Sequence, residues 1–209
     1  MEKSVVIHNG IDTDRFKKDE KKRIEFRKKH NLNENDIAIG MVARIDYMKG
    51  YNVFAESAKR LLKKYNNLKF FSIGDGDENI KKECKEILGD YNNTRFIWLG
   101  KQRNVEDFYS GFDISSSSSF GEGFSNSIAE AMSCECTCVV TDVGDSKIIV
   151  GDYGIVVESN NADSLYNGLE QMTKSYFKLL GKNSRKRIVE NFSIETMVSK
   201  TEETILKLV

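Results

Sequence analysis

The chain has 209 residues, is 39% hydrophobic and 31% charged, and sets 32 Lys and Arg against 32 Asp and Glu. That is enough apolar material for a conventional core, with no global charge that would favour nucleic acid. No signal peptide or membrane-spanning run is read in it, so a cytoplasmic, reducing compartment is expected, with Cys84, Cys134, Cys136 and Cys138 as thiols rather than a disulfide scaffold.

In chain order, residues 17–30 read as a charge-dense helix with a solvated face and with Ile24 and Phe26 as its main apolar contacts. Apolar runs follow at 37–43, 68–73, 95–99, 112–117, 137–141 and 154–157. Most lack alternation, the pattern of strands buried on both faces. Between the first two, Val53, Phe54, Ala58, Leu61, Leu62 and Tyr65 recur at three- and four-residue steps, giving a helix one apolar stripe and making a β–α–β crossover. Helices at 78–88, near 105–109 and at 126–134 precede the third, fourth and fifth strands. After the sixth the chain turns helical over 162–172, around 176–191, and to residue 208 with Ser193 as N-cap, a tail read as an arm. The repeated strand–loop–helix order predicts an α/β fold with a six-stranded parallel sheet between helical layers. Residues 1–192 are assigned to one domain and 193–209 to a carboxyl-terminal helix. No internal repeat is found. With no proline, every turn must be made by Gly, Asn, Asp or Ser.

Ligands of open parallel sheets sit beyond the carboxyl ends of the strands, which narrows the search to loops 44–50, 74–77, 100–104, 118–126 and 142–146. The first reads ARIDYMKG and sets Arg44 and Lys49 on either side of a turn. A guanidinium fork and a flexible ammonium there suit a departing diphosphate; exposed loop charges are the plainer alternative. The fourth reads SSSSSFGEGFSNSIAEAM, where Gly121 and Gly123 allow close backbone approach and the amides of Phe124, Ser125 and Asn126 open a helix toward an anion. Glu122 is suited to sugar hydroxyls, and Glu130, eight residues on, to vicinal hydroxyls such as those of ribose. The serine run is read as a small-residue packing surface.

Rival signatures fail. Gly74 and Gly76 follow a strand, but Asn79 stands where G-x-G-x-x-G needs glycine, and no G-x-x-x-x-G-K-[ST] occurs. The CECTC run passes from a helix end into a strand, where alternate cysteines are core thiols more readily than metal ligands. His8 and His30 have no recognisable catalytic partner and are read as structural or exposed.

VVIHNGIDTDRF, VARIDYMKG, FSIGDGDE, FIWLGKQRNV, SSSSFGEGFSNSIAEAMSCECTCVVTDVGD and ENFSIETM stand in the order and spacing of the carboxyl-terminal half of retaining GT-B glycosyltransferases, and the chain resembles their large family 4 group over essentially its whole length. The resemblance implies a Rossmann-like three-layer domain that binds a nucleotide-diphosphate sugar in a cleft facing an amino-terminal acceptor domain, in the same or a separate chain. Residues 1–16, with HNGID, then resemble the interdomain linker. By the same resemblance Arg44 and Lys49 lie on the donor diphosphate, Glu122 beside the transferred sugar, and Glu130 on the ribose. Gly123, Phe124, Ser125 and Asn126 meet sugar and phosphate, and Gln102 and Arg103 flank the nucleobase. The two cations take the place of a metal, so no metal or other cofactor is expected.

His8 and Ser118 stand where the family commonly has proline, Glu135 where it generally has glycine, Thr137 where proline often precedes the strand, and Asp145 where a second glycine is frequent. Asp145 lies on a cleft loop, placed to repel a diphosphate or contact a sugar hydroxyl. The reading is thus the donor-binding half of a glycosyltransferase acting with retention on a glycan, lipid or small acceptor, in polysaccharide biosynthesis, and inactive alone for want of the acceptor half. No nucleic acid and no integral membrane segment are expected, while peripheral membrane contact is compatible. Two alternatives stand beside it: a non-catalytic subunit completing a partner's cleft, and a sugar-nucleotide epimerase, whose acid–base set is not found.

Overall fold

The apolar runs form β1 (Ile37–Val42), β2 (Leu68–Ile73), β3 (Phe96–Gly100), β4 (Ile114–Ser117), β5 (Thr137–Thr141) and β6 (Gly154–Val157) in the computed structural model, which describes residues 4–174 and 177–207. They pair in parallel in the order β3-β2-β1-β4-β5-β6. The helices among the described residues are α1 (Glu20–Lys29), α2 (Tyr51–Lys64), α3 (Glu78–Leu88), α4 (Val105–Gly111), α5 (Asn126–Ser133), α6 (Ser146–Val150), α7 (Ala162–Lys174), α8 (Phe177–Asn191) and α9 (Ile194–Leu206).

Successive side chains of a strand point to opposite faces, so each strand feeds two cores. Ile37, Ile39 and Met41 join Phe54, Leu61, Leu62, Phe70, Leu165 and Leu169 beneath α2, α3 and α7. Ala38 joins Phe71, Tyr109, Phe112, Ile128, Met132, Val140 and Ile188 on the other face, with α1, α4, α5 and α8. The result is the expected three-layer, Rossmann-like α/β domain. Gly40 is required by this packing, because a Cβ there would overlap the Phe112 ring.

Three sequence expectations need correction. In α1, Phe26 is buried against Phe71, Phe108 and Phe112, but Ile24 is 65% exposed. Two residues on a helix are about 200° apart, so both cannot face the sheet. The inner face instead carries Arg23 and Arg27, three residues before and one after Phe26, which reach the buried Asp113 at 2.6 and 3.2 Å. The Asp113 carboxylate also accepts the Ala38 amide at 2.8 Å. A helix read as solvated is therefore docked by a charge cluster.

The carboxyl-terminal helices are likewise not a common arm. Leu165, Leu169 and Met172 of α7 and Ile188 of α8 are buried in the two layers, while α9 contributes no buried residue. The start proposed for α8 near Tyr176 and the α9 end at Leu208 lie outside the described residues. Helix α6 was not anticipated, since five residues are too few to show a period. Backbone with positive φ falls on glycines and on Asn31, Asn93 and Asn160, residues that adopt the left-handed region at low cost, but also on Glu135 at 63°.

Candidate functional site

Strand order reverses between β1 and β4, which opens a crevice beyond their carboxyl ends. On the β1 side, pairing with β2 runs past the strand end: Ile45 N donates to Asp75 O at 3.0 Å and Asp77 N to Ile45 O at 2.8 Å. Gly74 at φ 139° lies where a Cβ would overlap the Ala43 carbonyl, so glycine is required there for the close backbone approach between strands. The chain then makes one 3-10 turn over Tyr47–Lys49 and reverses at Gly50, φ 61°, against the Ser118 carbonyl. Phe120 N donates to Met48 O at 2.8 Å and Ser118 Oγ to Lys49 O at 2.9 Å. Two loops far apart in sequence are thereby fixed to each other. Ser115 to Ser119 are buried, in keeping with a packing surface.

Lys49 Nζ lies 2.6 Å from Glu122 Oε1, and Ser119 Oγ donates to the same oxygen at 2.7 Å. Behind them the 142–146 loop supports the glycines: Asp145 N donates to Gly123 O at 3.1 Å, and Gly144, φ 50°, packs where a side chain would overlap the Glu122 carbonyl. Helix α5 begins at Asn126 from Ser125, whose side chain caps no amide. Phe124 packs against His8 and Phe192, and Asn9 Nδ2 donates to Asn126 Oδ1 at 3.3 Å. His8 Nε2 also stands 3.6 Å from Asp145 Oδ2, so two departures from the family pattern meet in space.

Arg44 is arranged differently. Its side chain is 76% exposed and bonds Asp46 Oδ2 at 2.8 Å, so each of the two cations is engaged by its own carboxylate. With Gly74, Gly76, Lys101, Gln102 and Val105, Arg44 lines a cavity of about 790 Å³ at the ends of β1, β2 and β3. Gln102 is folded back, donating to Leu99 O at 2.6 Å, and Arg103 is exposed on the same loop.

Glu130, on the second turn of α5, is half-buried. Tyr109, fully buried, donates to Ser127 O at 3.1 Å and lies 3.4 Å from Glu130 Oε2. Burial lifts the Glu130 carboxyl above its usual range, against the pull of the Tyr109 hydroxyl and the Arg15 charge, while Glu106 pushes it further up. Arg15 bonds Glu106 through both Nε and Nη2, at 3.2 and 3.1 Å. Burial alone would raise Glu106, but the Arg15 hydrogen bond, a backbone bond and the Arg15 charge together hold it low. Arg15, Glu106 and Tyr109 escaped sequence reading; the tertiary fold brings Tyr109 to Glu130 and Arg15 to Glu106.

The remaining candidates are structural. Cys134, Cys136 and Cys138 are buried free thiols raised by burial, and Cys84 is pushed up to about 12 by burial and then by Glu83. His30 sits between Phe26 and Phe71, where burial lowers its pKa. Among the described residues no group of three or more His, Cys, Asp or Glu is placed to hold a metal ion, and no helix is long and apolar enough to cross a membrane.

A family model described as "Glycosyl transferases group 1" matches residues 22–193. An Escherichia coli UDP-Gal:alpha-D-GlcNAc-diphosphoundecaprenol alpha-1,3-galactosyltransferase is 29% identical over 98% of this chain and 54% of its own length. The chain spans about half the length of the curated relatives it matches. Among solved structures, Anabaena Alr3699/HepE in complex with UDP and glucose superposes with TM-score 0.85 at 19% identity, over 97% of this chain and 57% of that one. The carboxyl-terminal domain of the Francisella tularensis group 1 glycosyl transferase LpcC does so with TM-score 0.76 at 24% identity, over 88% of this chain and all of that one. These two likenesses establish the fold.

Proposed function

The chain belongs to the glycosyl transferases group 1 family, and on that premise we propose that it is the donor-binding half of a glycosyltransferase that moves a sugar, with retention, from a nucleotide diphosphate to a glycan, lipid or small acceptor. The observation that carries this reading is the Lys49–Glu122 contact beside the uncapped start of α5, at the crevice where strand order reverses. A diphosphate bound there meets the ammonium of Lys49 and the amides of Phe124, Ser125 and Asn126, and Arg44 turns from Asp46 to share its charge. As the bond from the anomeric carbon to the diphosphate oxygen breaks, these groups stabilise the charge left on the nucleotide. The acceptor oxygen bonds the same carbon, and its proton passes to the leaving phosphate. Glu122, released from Lys49, takes a hydroxyl of the transferred sugar; Gly123 leaves room for it. Glu130 accepts the ribose hydroxyls, and Gln102 and Arg103 flank the base.

Uridine diphosphate sugars are the first donors to test, because the E. coli relative's name specifies UDP-Gal and the Anabaena neighbour holds UDP and glucose. The acceptor is assigned to an amino-terminal half, in the same or a separate chain. Apolar side chains left exposed at Val5, Val6, Ile194, Val198 and Ile205 suit its docking. Calorimetry of this chain with UDP, UDP-glucose, UDP-galactose and GDP tests the reading. Binding of at least one nucleoside diphosphate supports it, and folded protein that binds none rejects it.

A further inference from the structure

The 142–146 loop fixes the backbone at the start of α5. Asp145 N donates to Gly123 O at 3.1 Å, and because a trans peptide sets its N–H opposite its C=O, this bond turns the Phe124 N–H away from the loop. Asp145 also stands at the N-cap of α6, where an aspartate ordinarily accepts an amide of the first turn, yet its side chain makes no cap bond. The carboxylate turns instead to the segment before α1, with Asp145 Oδ2 3.6 Å from His8 Nε2. The His8 ring is held for this contact by Phe124 at 5.9 Å and, edge-on, by Phe192 at 5.7 Å, and the neighbouring Asn9 bonds Asn126 at 3.3 Å. Arg187, whose guanidinium lies over Phe192, is spent on the carbonyls of Ile148 and Ile149. Among the described residues, His8 is thus the partner that the Asp145 carboxylate has. The two side chains are 24% and 33% exposed, so water screens the Asp145 charge only in part.

We propose that His8 is a positioning residue that, as an imidazolium, offsets and holds aside the Asp145 carboxylate, and so keeps the amides of Phe124, Ser125 and Asn126 attractive to a diphosphate. This rests on the donor-binding reading above for the ligand, but not for the pairing of His8 with Asp145. An unpaired carboxylate whose own amide is bonded to the Gly123–Phe124 peptide repels an anion at that peptide. The pairing completes a pattern at the crevice, where Glu122 is met by Lys49 and Asp46 by Arg44. It also accounts for two departures from the family pattern at once, since the histidine of one compensates the aspartate of the other.

The test has two parts, both on the whole chain at about pH 6, where an ordinary histidine is largely protonated. The first follows the ring nitrogen-15 shifts of His8 and His30 without ligand. Asp145→Asn is expected to move those of His8 and to leave those of His30 in place. A His8 ring that does not respond overturns the inference whatever the nucleotide does. The second part measures UDP and uridine by calorimetry. His8→Phe keeps a ring against Phe124 and Phe192 but loses the charge, and is expected to weaken UDP about two- to fivefold with uridine unchanged. His8→Lys keeps a charge but loses the ring, and is expected to bind UDP close to wild type. Asp145→Asn added to His8→Phe is expected to restore UDP. UDP affinity unmoved in His8→Phe, lost equally in His8→Lys, or not restored by Asp145→Asn overturns the electrostatic role. Wild-type protein that binds no UDP while the His8 ring responds as expected identifies the donor-binding reading as what failed, and the diphosphate role of the pair falls with it.

Discussion

Replacing Lys49 by alanine separates a phosphate-binding role from a packing role, because the unliganded lysine is already committed. Its ammonium lies 2.6 Å from Glu122 Oε1, and the Glu122 side chain is only 12% exposed, so an incoming diphosphate must exchange for a charge-assisted bond. Such a bond to a charged group contributes about 1.5–3 kcal/mol, which converts to a roughly ten- to two-hundredfold loss of UDP affinity in Lys49→Ala. Uridine, which lacks the diphosphate, should lose almost nothing. The competitor can be removed as well: in Glu122→Gln the lysine is released and a local negative charge disappears, so UDP should bind more tightly than to wild type. Calorimetry of both variants with UDP and uridine, with circular dichroism to establish folding, reads all four affinities. Equal losses of UDP and uridine in Lys49→Ala, or a loss of UDP affinity in both variants, would refute the assignment of Lys49 to the phosphate.

Asp113 is 5% exposed and holds Arg23, Arg27 and the Ala38 amide, so Asp113→Ala strands two part-buried guanidinium groups; a cost of about 3–5 kcal/mol, or roughly 6–20 °C in melting temperature, is expected in thermal unfolding. Glu135, at φ 63° where the family generally has glycine, bears left-handed strain; Glu135→Gly should stabilise the fold by about 0.5–1 kcal/mol in urea titration, and a destabilised variant would show that its Cβ and the Lys18 contact at 3.8 Å matter more. His30 has a depressed pKa in the folded chain, so the unfolded chain takes up its proton first as pH falls through the ordinary histidine range; stability should drop over that window and rise again toward neutrality. His30→Phe should flatten this slope in denaturation curves, and an unchanged slope would assign it to other groups.

The strands were legible because parallel strands buried on both faces read as uninterrupted apolar runs, and α2 because its stripe is long enough to show a period. What failed were judgements that depend on which neighbour a side chain meets. Ile24 and Phe26 are equally apolar in composition, and only the position of the Phe71–Phe112 surface decides between them. Helices α7 and α8 read as an arm because their partners, α2 and α5, precede them by about a hundred residues and by about fifty. At the site, the chain-order argument found the loops, and resemblance supplied roles for Arg44, Lys49, Glu122 and Glu130. The Lys49–Glu122 bond, between residues 73 apart, and the two-pronged Arg15–Glu106 bond are products of the folded state. Gly74 adds a constraint that the sequence did not show: a Cβ there would overlap the Ala43 carbonyl of the neighbouring strand's end.

The most direct test of the account is amide mapping of the isotope-labelled chain during titration with UDP. The account predicts saturable shifts clustered at Lys49, Glu122 to Asn126, Glu130 and the Gln102–Arg103 loop, with the α2–α7 face unmoved. Saturable shifts centred elsewhere, with those loops silent, would contradict it.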